Sequence, residues 1–163
     1  MTLQAYTRSA TRAEDCRYLA QHLLPSLPQQ SAGVPMPNLH IMIIEDDAAT
    51  LEYVYDLLTM HSYKVSRWMT SMHALEQVIQ RQPDLVMLDH RLDRNTSGWL
   101  LLLRMRTLPK TVHIPMILYS AEHDVLRVHR DEIRSMHGDV LEKPFDPDAL
   151  LAKIESLTNI ATA

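Results

Sequence analysis

Five short apolar runs, each followed by residues at helical spacing, constrain this chain more than any other feature. The runs are LHIMII, YKVSRW, DLVMLD, IPMILYS and DVLEK, beginning at positions 39, 63, 84, 114 and 139. Residues 50–61 place Leu51, Val54, Leu57 and Leu58 on one helical face, and residues 71–80 do the same with Met72, Leu75, Val78 and Ile79. Further helices are expected over 99–106, 125–136 and 147–157, the last with Pro147 in its first turn. Parallel strands need crossover helices and are buried on both faces. The alternation therefore predicts an α/β fold, a doubly wound five-stranded parallel sheet with helices on both faces. In such sheets ligands sit beyond the carboxyl ends of the strands, at the switch point in strand order.

Length and charge narrow the function. At 163 residues the chain suits one compact domain plus an extension. Its formal charge is -4 with the basic residues scattered, which argues against direct nucleic-acid binding. Cys16 is the only cysteine, so an intrachain disulfide is excluded and a reducing cytoplasm fits. No signal peptide or run of 18 apolar residues appears, so neither export nor a membrane span is expected. Residues 1–37 read as an N-terminal extension. Thr11 and Glu14 form a capping box ahead of Ala13, Cys16, Leu19, Ala20 and Leu23 at helical spacing. Prolines 25, 28, 35 and 37 then make a semi-extended linker.

The strand ends carry the chemistry. The first run ends in Glu45, Asp46 and Asp47, the third in Asp89, the fourth in Ser120, and the fifth in Lys143 followed by Pro144. Capping of the next helix competes as an account of Asp47 alone. It does not account for four strand ends of complementary chemistry.

With IIEDD, DLVMLD, LYSA and EKPF in this order, residues 38–157 resemble the receiver domain of bacterial two-component response regulators, a flavodoxin-like fold. The receiver is placed at 38–160. The resemblance implies that Asp89 is the phosphoacceptor, that Glu45 and Asp46 hold a divalent cation, Mg²⁺ or Mn²⁺, and that Ser120 and Lys143 complete the site. It further implies a backbone carbonyl ligand from Arg91, and a Lys143–Pro144 turn, cis in receivers, that aims the lysine. Three carboxylates against one ammonium repel a phosphoryl dianion, which is the physical need for the cation. Arg91 and Glu122, each two residues after a site residue, are opposite in charge, and the resemblance implies that they occupy the positions that in receivers flank the attacking water.

Two departures stand out. Receivers usually have proline four residues after the acceptor and glycine eight after; here Asp93 and, nine after, Gly98 make the loop one residue longer. Three residues before Lys143, Val140 replaces the usual Tyr or Phe, so the aromatic half of the switch is missing. His90, His123 and His129 are read as surface residues, and Trp99 as packing on the sheet.

The expected function is a phosphorylation-controlled response regulator with no catalysis beyond its own aspartyl phosphorylation and dephosphorylation. The implied partners are a histidine kinase or histidine phosphotransfer protein and a downstream protein target, with output through about residues 122–157, because only TNIATA follows the last helix. The extension offers a route to a homodimer. The alternative is a receiver-like adaptor that works without phosphorylation, which the altered loop and Val140 favour. A haloacid-dehalogenase-type hydrolase needs a second Asp two residues after the nucleophile, where this chain has Arg91.

Overall fold

The computed structural model describes residues 39–93 and 96–159. The helix expected over 11–24, the linker and the boundaries at 38 and 160 lie outside these residues. The strands are β1 His40–Ile44, β2 Lys64–Trp68, β3 Leu85–Asp89, β4 Met116–Ser120 and β5 Gly138–Glu142. The helices are α1 Ala48–Met60, α2 Ala74–Arg81, α3 Gly98–Thr107, α4 His123–Ser135 and α5 Pro147–Asn159. The five strands form one parallel sheet in the order β2-β1-β3-β4-β5. Strand order reverses at β1, which places the switch point between the carboxyl ends of β1 and β3.

Strand periodicity divides the core into two layers. Ile41, Ile43, Leu85, Met87, Ile117, Tyr119 and Leu141 face Leu51, Val54 and Leu58 of α1 and Leu150, Ile154 and Leu157 of α5. Their neighbours Met42, Ile44, Val86, Leu88, Met116, Leu118 and Val140 face α2, α3 and α4 through Leu75, Val78, Leu101, Leu102, Met105, Leu126 and Ile133. Central strands β3 and β4 are buried throughout, so their sequences are almost unbroken apolar runs, whereas edge strand β2 keeps Lys64 and Arg67 exposed. Each fully buried Leu, Ile or Val contributes about 1.5–3 kcal/mol.

Polar residues set the helix starts. Asp47 Oδ1 accepts the Thr50 N–H at 2.8 Å, Ser97 Oγ the Trp99 N–H at 3.2 Å, and Asp146 Oδ1 the Asp148 N–H at 2.9 Å. Such caps are worth about 1 kcal/mol each.

The second helix corrects the expectation for residues 71–80. It starts at Ala74, because His73 has a φ of 58° and breaks the helical path. Met72 therefore lies on the loop, exposed, with its carbonyl accepting the Trp68 indole N–H at 2.9 Å. The lengthened loop after Asp89 forms a small hairpin, Arg91–Leu92 against Thr96–Ser97.

Candidate functional site

Glu45 follows β1, Asp89 ends β3, and Lys143 follows β5, so three strand ends converge on one point. The Lys143 ammonium donates to Glu45 Oε2 at 2.6 Å and to Asp89 Oδ1 at 2.7 Å. It also stands 4.4 Å from the centre of the Tyr119 ring. Glu45 and Asp89 are buried, at 1% and 5% exposure, while Asp46 beside them is exposed. A carboxylate oxygen from each of Glu45, Asp46 and Asp89 lies within 4.8 Å of the others.

Burial raises the pKa of both Glu45 and Asp89, and the Lys143 hydrogen bonds oppose that rise. The nearby negative charge of Asp89 pushes Glu45 further up. One ammonium against three carboxylates leaves negative charge in excess. Hard oxygen donors clustered with surplus negative charge and one exposed member are the chemistry that a small divalent cation requires, so the residues present fit Mg²⁺.

The remaining predicted residues ring this cluster. Asp89 Oδ2 accepts the Arg91 N–H at 2.9 Å, so both oxygens of Asp89 are held. Arg91 Nη1 meets Glu122 Oε1 at 3.0 Å over the exposed mouth. Ser120 is buried at the end of β4, with Oγ accepting the Glu122 N–H at 3.0 Å. The Lys143 N–H donates to the Ser120 carbonyl at 2.8 Å, which ties the ends of β4 and β5 together. The Lys143–Pro144 bond is cis, and Phe145 beyond it packs on the Tyr119 ring edge at 6.3 Å between centroids. Val140 is buried in the core among Leu118, Leu126 and Ile133, where the resemblance expects a ring. Beside it a hollow of about 300 Å³ is lined by Arg130, Glu142 and Lys153 among others.

Two histidines read as surface residues are half-buried. His90 is packed beside the acceptor, its Nδ1 3.8 Å from Glu122 Oε2, and burial lowers its pKa. His129 stacks on Trp99 with ring centroids 4.1 Å apart. Trp99 itself packs against the core.

Three residues had a role that sequence reasoning missed. Gly98 approaches β3 so closely that a Cβ there would lie 2.0 Å from the Asp89 carbonyl oxygen. Its being glycine next to the acceptor loop was the available signal. Tyr119 roofs the Lys143 ammonium, and only its position beside Ser120 hinted at that. Asp93 donates its N–H to Asp46 Oδ2 at 3.1 Å, a contact across 47 residues that no local pattern reveals.

The family model for the response regulator receiver domain matches residues 41–155. The chain is 32% identical over 120 residues to the DNA-binding dual master transcriptional regulator RpaA of Synechocystis, covering 72% of this chain and 48% of that protein. It is 30% identical over 124 residues to the response regulator PleD of Caulobacter vibrioides, covering 74% of this chain and 26% of PleD. The chain thus spans about half or less of the length of these curated relatives. Among solved structures, the N-terminal domain of a response regulator receiver protein from Methanoculleus marisnigri superposes with a TM-score of 0.58 at 26% identity, covering 72% of this chain and 94% of that one. The receiver domain of the sensor histidine kinase PA1611 from Pseudomonas aeruginosa, which holds a magnesium ion in its active-site cleft, shares the fold with a TM-score of 0.64 at 20% identity, covering 75% and 98%. Because that family model covers residues 41–155, most of its length, the chain belongs to the response regulator receiver domain family of two-component signalling.

Proposed function

We propose that this receiver accepts a phosphoryl group on Asp89 in a Mg²⁺-dependent reaction and signals through protein contacts. The observation that carries the reading is the Lys143 ammonium shared between Glu45 and Asp89, with Asp46 close enough for all three carboxylates to hold one cation. Mg²⁺ or Mn²⁺, held by Glu45, Asp46, Asp89 and the backbone carbonyl of Arg91, supplies the positive charge that lets a phosphoryl dianion approach.

The chain's own groups do the rest. An Asp89 carboxylate oxygen attacks the phosphorus of a phosphohistidine; the O–P bond forms, the P–N bond breaks, and the imidazole leaves with the electron pair. Lys143 is placed to donate to a phosphoryl oxygen as charge spreads over the equatorial oxygens. Ser120 Oγ already accepts from the Glu122 N–H, so its own hydrogen is available for another phosphoryl oxygen. Arg91 and Glu122 close the mouth through which hydrolytic water must pass.

In this reading residues 1–37 are a separate interaction element and the receiver occupies 38–160. A histidine kinase or histidine phosphotransfer protein supplies the phosphoryl group, and a protein target reads about residues 122–157. No helix among the described residues is long and apolar enough to cross a membrane. Buried Val140 favours a second reading, an adaptor that needs no phosphorylation, since the ring that couples site to surface is replaced by a small aliphatic group. Intact mass after incubation with Mg²⁺ and acetyl phosphate separates the two. The first predicts a gain of one phosphoryl group in wild type and none in Asp89→Asn; no gain from either this donor or a kinase, with partner binding retained, supports the adaptor.

A further inference from the structure

Asp93 stands where receivers usually have proline, and it uses two properties that proline lacks. Its φ is 54°, in the left-handed region that aspartate tolerates better than most residues, while proline is fixed near −65°. Its N–H donates to Asp46 Oδ2 at 3.1 Å. Its own Oδ2 accepts the Ser71 N–H at 2.8 Å and the Thr70 hydroxyl at 3.4 Å. One residue thereby ties together the loops after β1, β2 and β3.

The tie falls on the member of the acidic cluster with least other support. Glu45 and Asp89 are buried and held by Lys143, whereas Asp46 is exposed. A free carboxylate at a loop start loses rotamer entropy when it binds a cation. An N–H on one oxygen removes part of that cost in advance and leaves other lone pairs open.

We propose that Asp93 is a positioning residue for the divalent cation: its amide orients the Asp46 carboxylate, and its side chain, anchored on Ser71 and Thr70, keeps that amide in place. The inference rests on reading Glu45, Asp46 and Asp89 as the cation site. It goes beyond that reading by assigning a supporting role to a residue at a position where the family usually has proline.

Calorimetric titration of the full chain with Mg²⁺, in wild type, Asp93→Asn, Asp93→Ala and Asp93→Pro, tests it, with circular dichroism to establish that each variant is folded. Asn keeps the N–H, tolerates the positive φ and offers an oxygen to Ser71, so it should bind Mg²⁺ nearly as wild type does. Ala and Pro should bind about tenfold more weakly, the usual size of an effect on groups that orient metal ligands. Hydrogen exchange at the residue 93 amide should be slow in wild type and Asn and fast in Ala. Folded Ala and Pro variants that bind Mg²⁺ as tightly as wild type overturn the positioning role alone. A wild-type protein that binds no Mg²⁺ overturns the cation site and this inference together.

Discussion

The Lys143 ammonium lies 2.7 Å from Asp89 Oδ1 across 54 residues of sequence, the closest link between the last strand and the proposed acceptor. Since the same ammonium also serves Glu45 at 2.6 Å, removing it leaves two buried carboxylates without their counter-charge. Lys143→Met should therefore lower stability at neutral pH by about 3 kcal/mol, the range for breaking a buried ion pair. Added Mg²⁺ should restore part of the loss. Urea denaturation with and without Mg²⁺ measures both, and an unchanged midpoint in Lys143→Met would contradict the shared-ammonium account.

Burial pushes the Asp89 pKa up, so the folded state holds its proton at a pH where the unfolded state has lost it. Stability conferred by this group therefore falls as pH rises from the ordinary carboxylate value through its folded pKa. His40 and His90, whose pKa values burial lowers, act in the opposite sense as pH falls through about 6.5, so the comparison must be between variants. Without metal, Asp89→Asn should be more stable than wild type at pH 7. The excess should shrink as pH falls through the folded pKa of wild-type Asp89 toward the ordinary carboxylate value, as the buried carboxylate takes up its proton. An excess that stays constant across this range would show that charge is not its cause.

Arg91 and Glu122 meet at 3.0 Å with the Arg91 side chain largely in solvent and Glu122 partly so, and the pair adds only about 0–1 kcal/mol to stability. Its effect should appear in the lifetime of the phosphorylated protein. Arg91→Ala and Glu122→Ala should each shorten that lifetime by opening the mouth to water, with denaturation midpoints close to wild type. Unchanged dephosphorylation rates in both variants remove the gate from the account.

Much of the fold was legible because a parallel sheet enforces it. Strands buried on both faces leave apolar runs, and the polar residues Glu45, Asp89, Ser120 and Lys143 stand out in the sequence at their carboxyl ends. What escaped depends on loop conformation and on contacts between distant loops. His73 in the left-handed region shortens α2 and leaves Met72 outside it. The stack on Trp99 half-buries His129 against the surface expectation. Asp93 was visible only as a missing proline, since its bonds to Asp46, Thr70 and Ser71 join three loops far apart in sequence.

Residues 1–37 are proposed to serve interaction and not the phosphorylation chemistry. The apolar spacing in their sequence covers about 14 residues, a length at which a helix would be marginal alone in water and would call for a packing partner. Deleting them should leave Mg²⁺-dependent phosphorylation nearly intact while altering self-association or partner binding, as read by light scattering and pull-down. Loss of phosphorylation in a folded deletion protein would place the segment in the site instead.

Locating the phosphoryl group tests the central claim most directly. Wild-type protein is incubated with acetyl phosphate, once with Mg²⁺ and once with chelator, then digested and its peptides mapped by mass spectrometry. The account predicts a single phosphoryl group on Asp89 with Mg²⁺, and none with chelator. Phosphoryl on another residue, or on Asp89 undiminished by chelator, would contradict it.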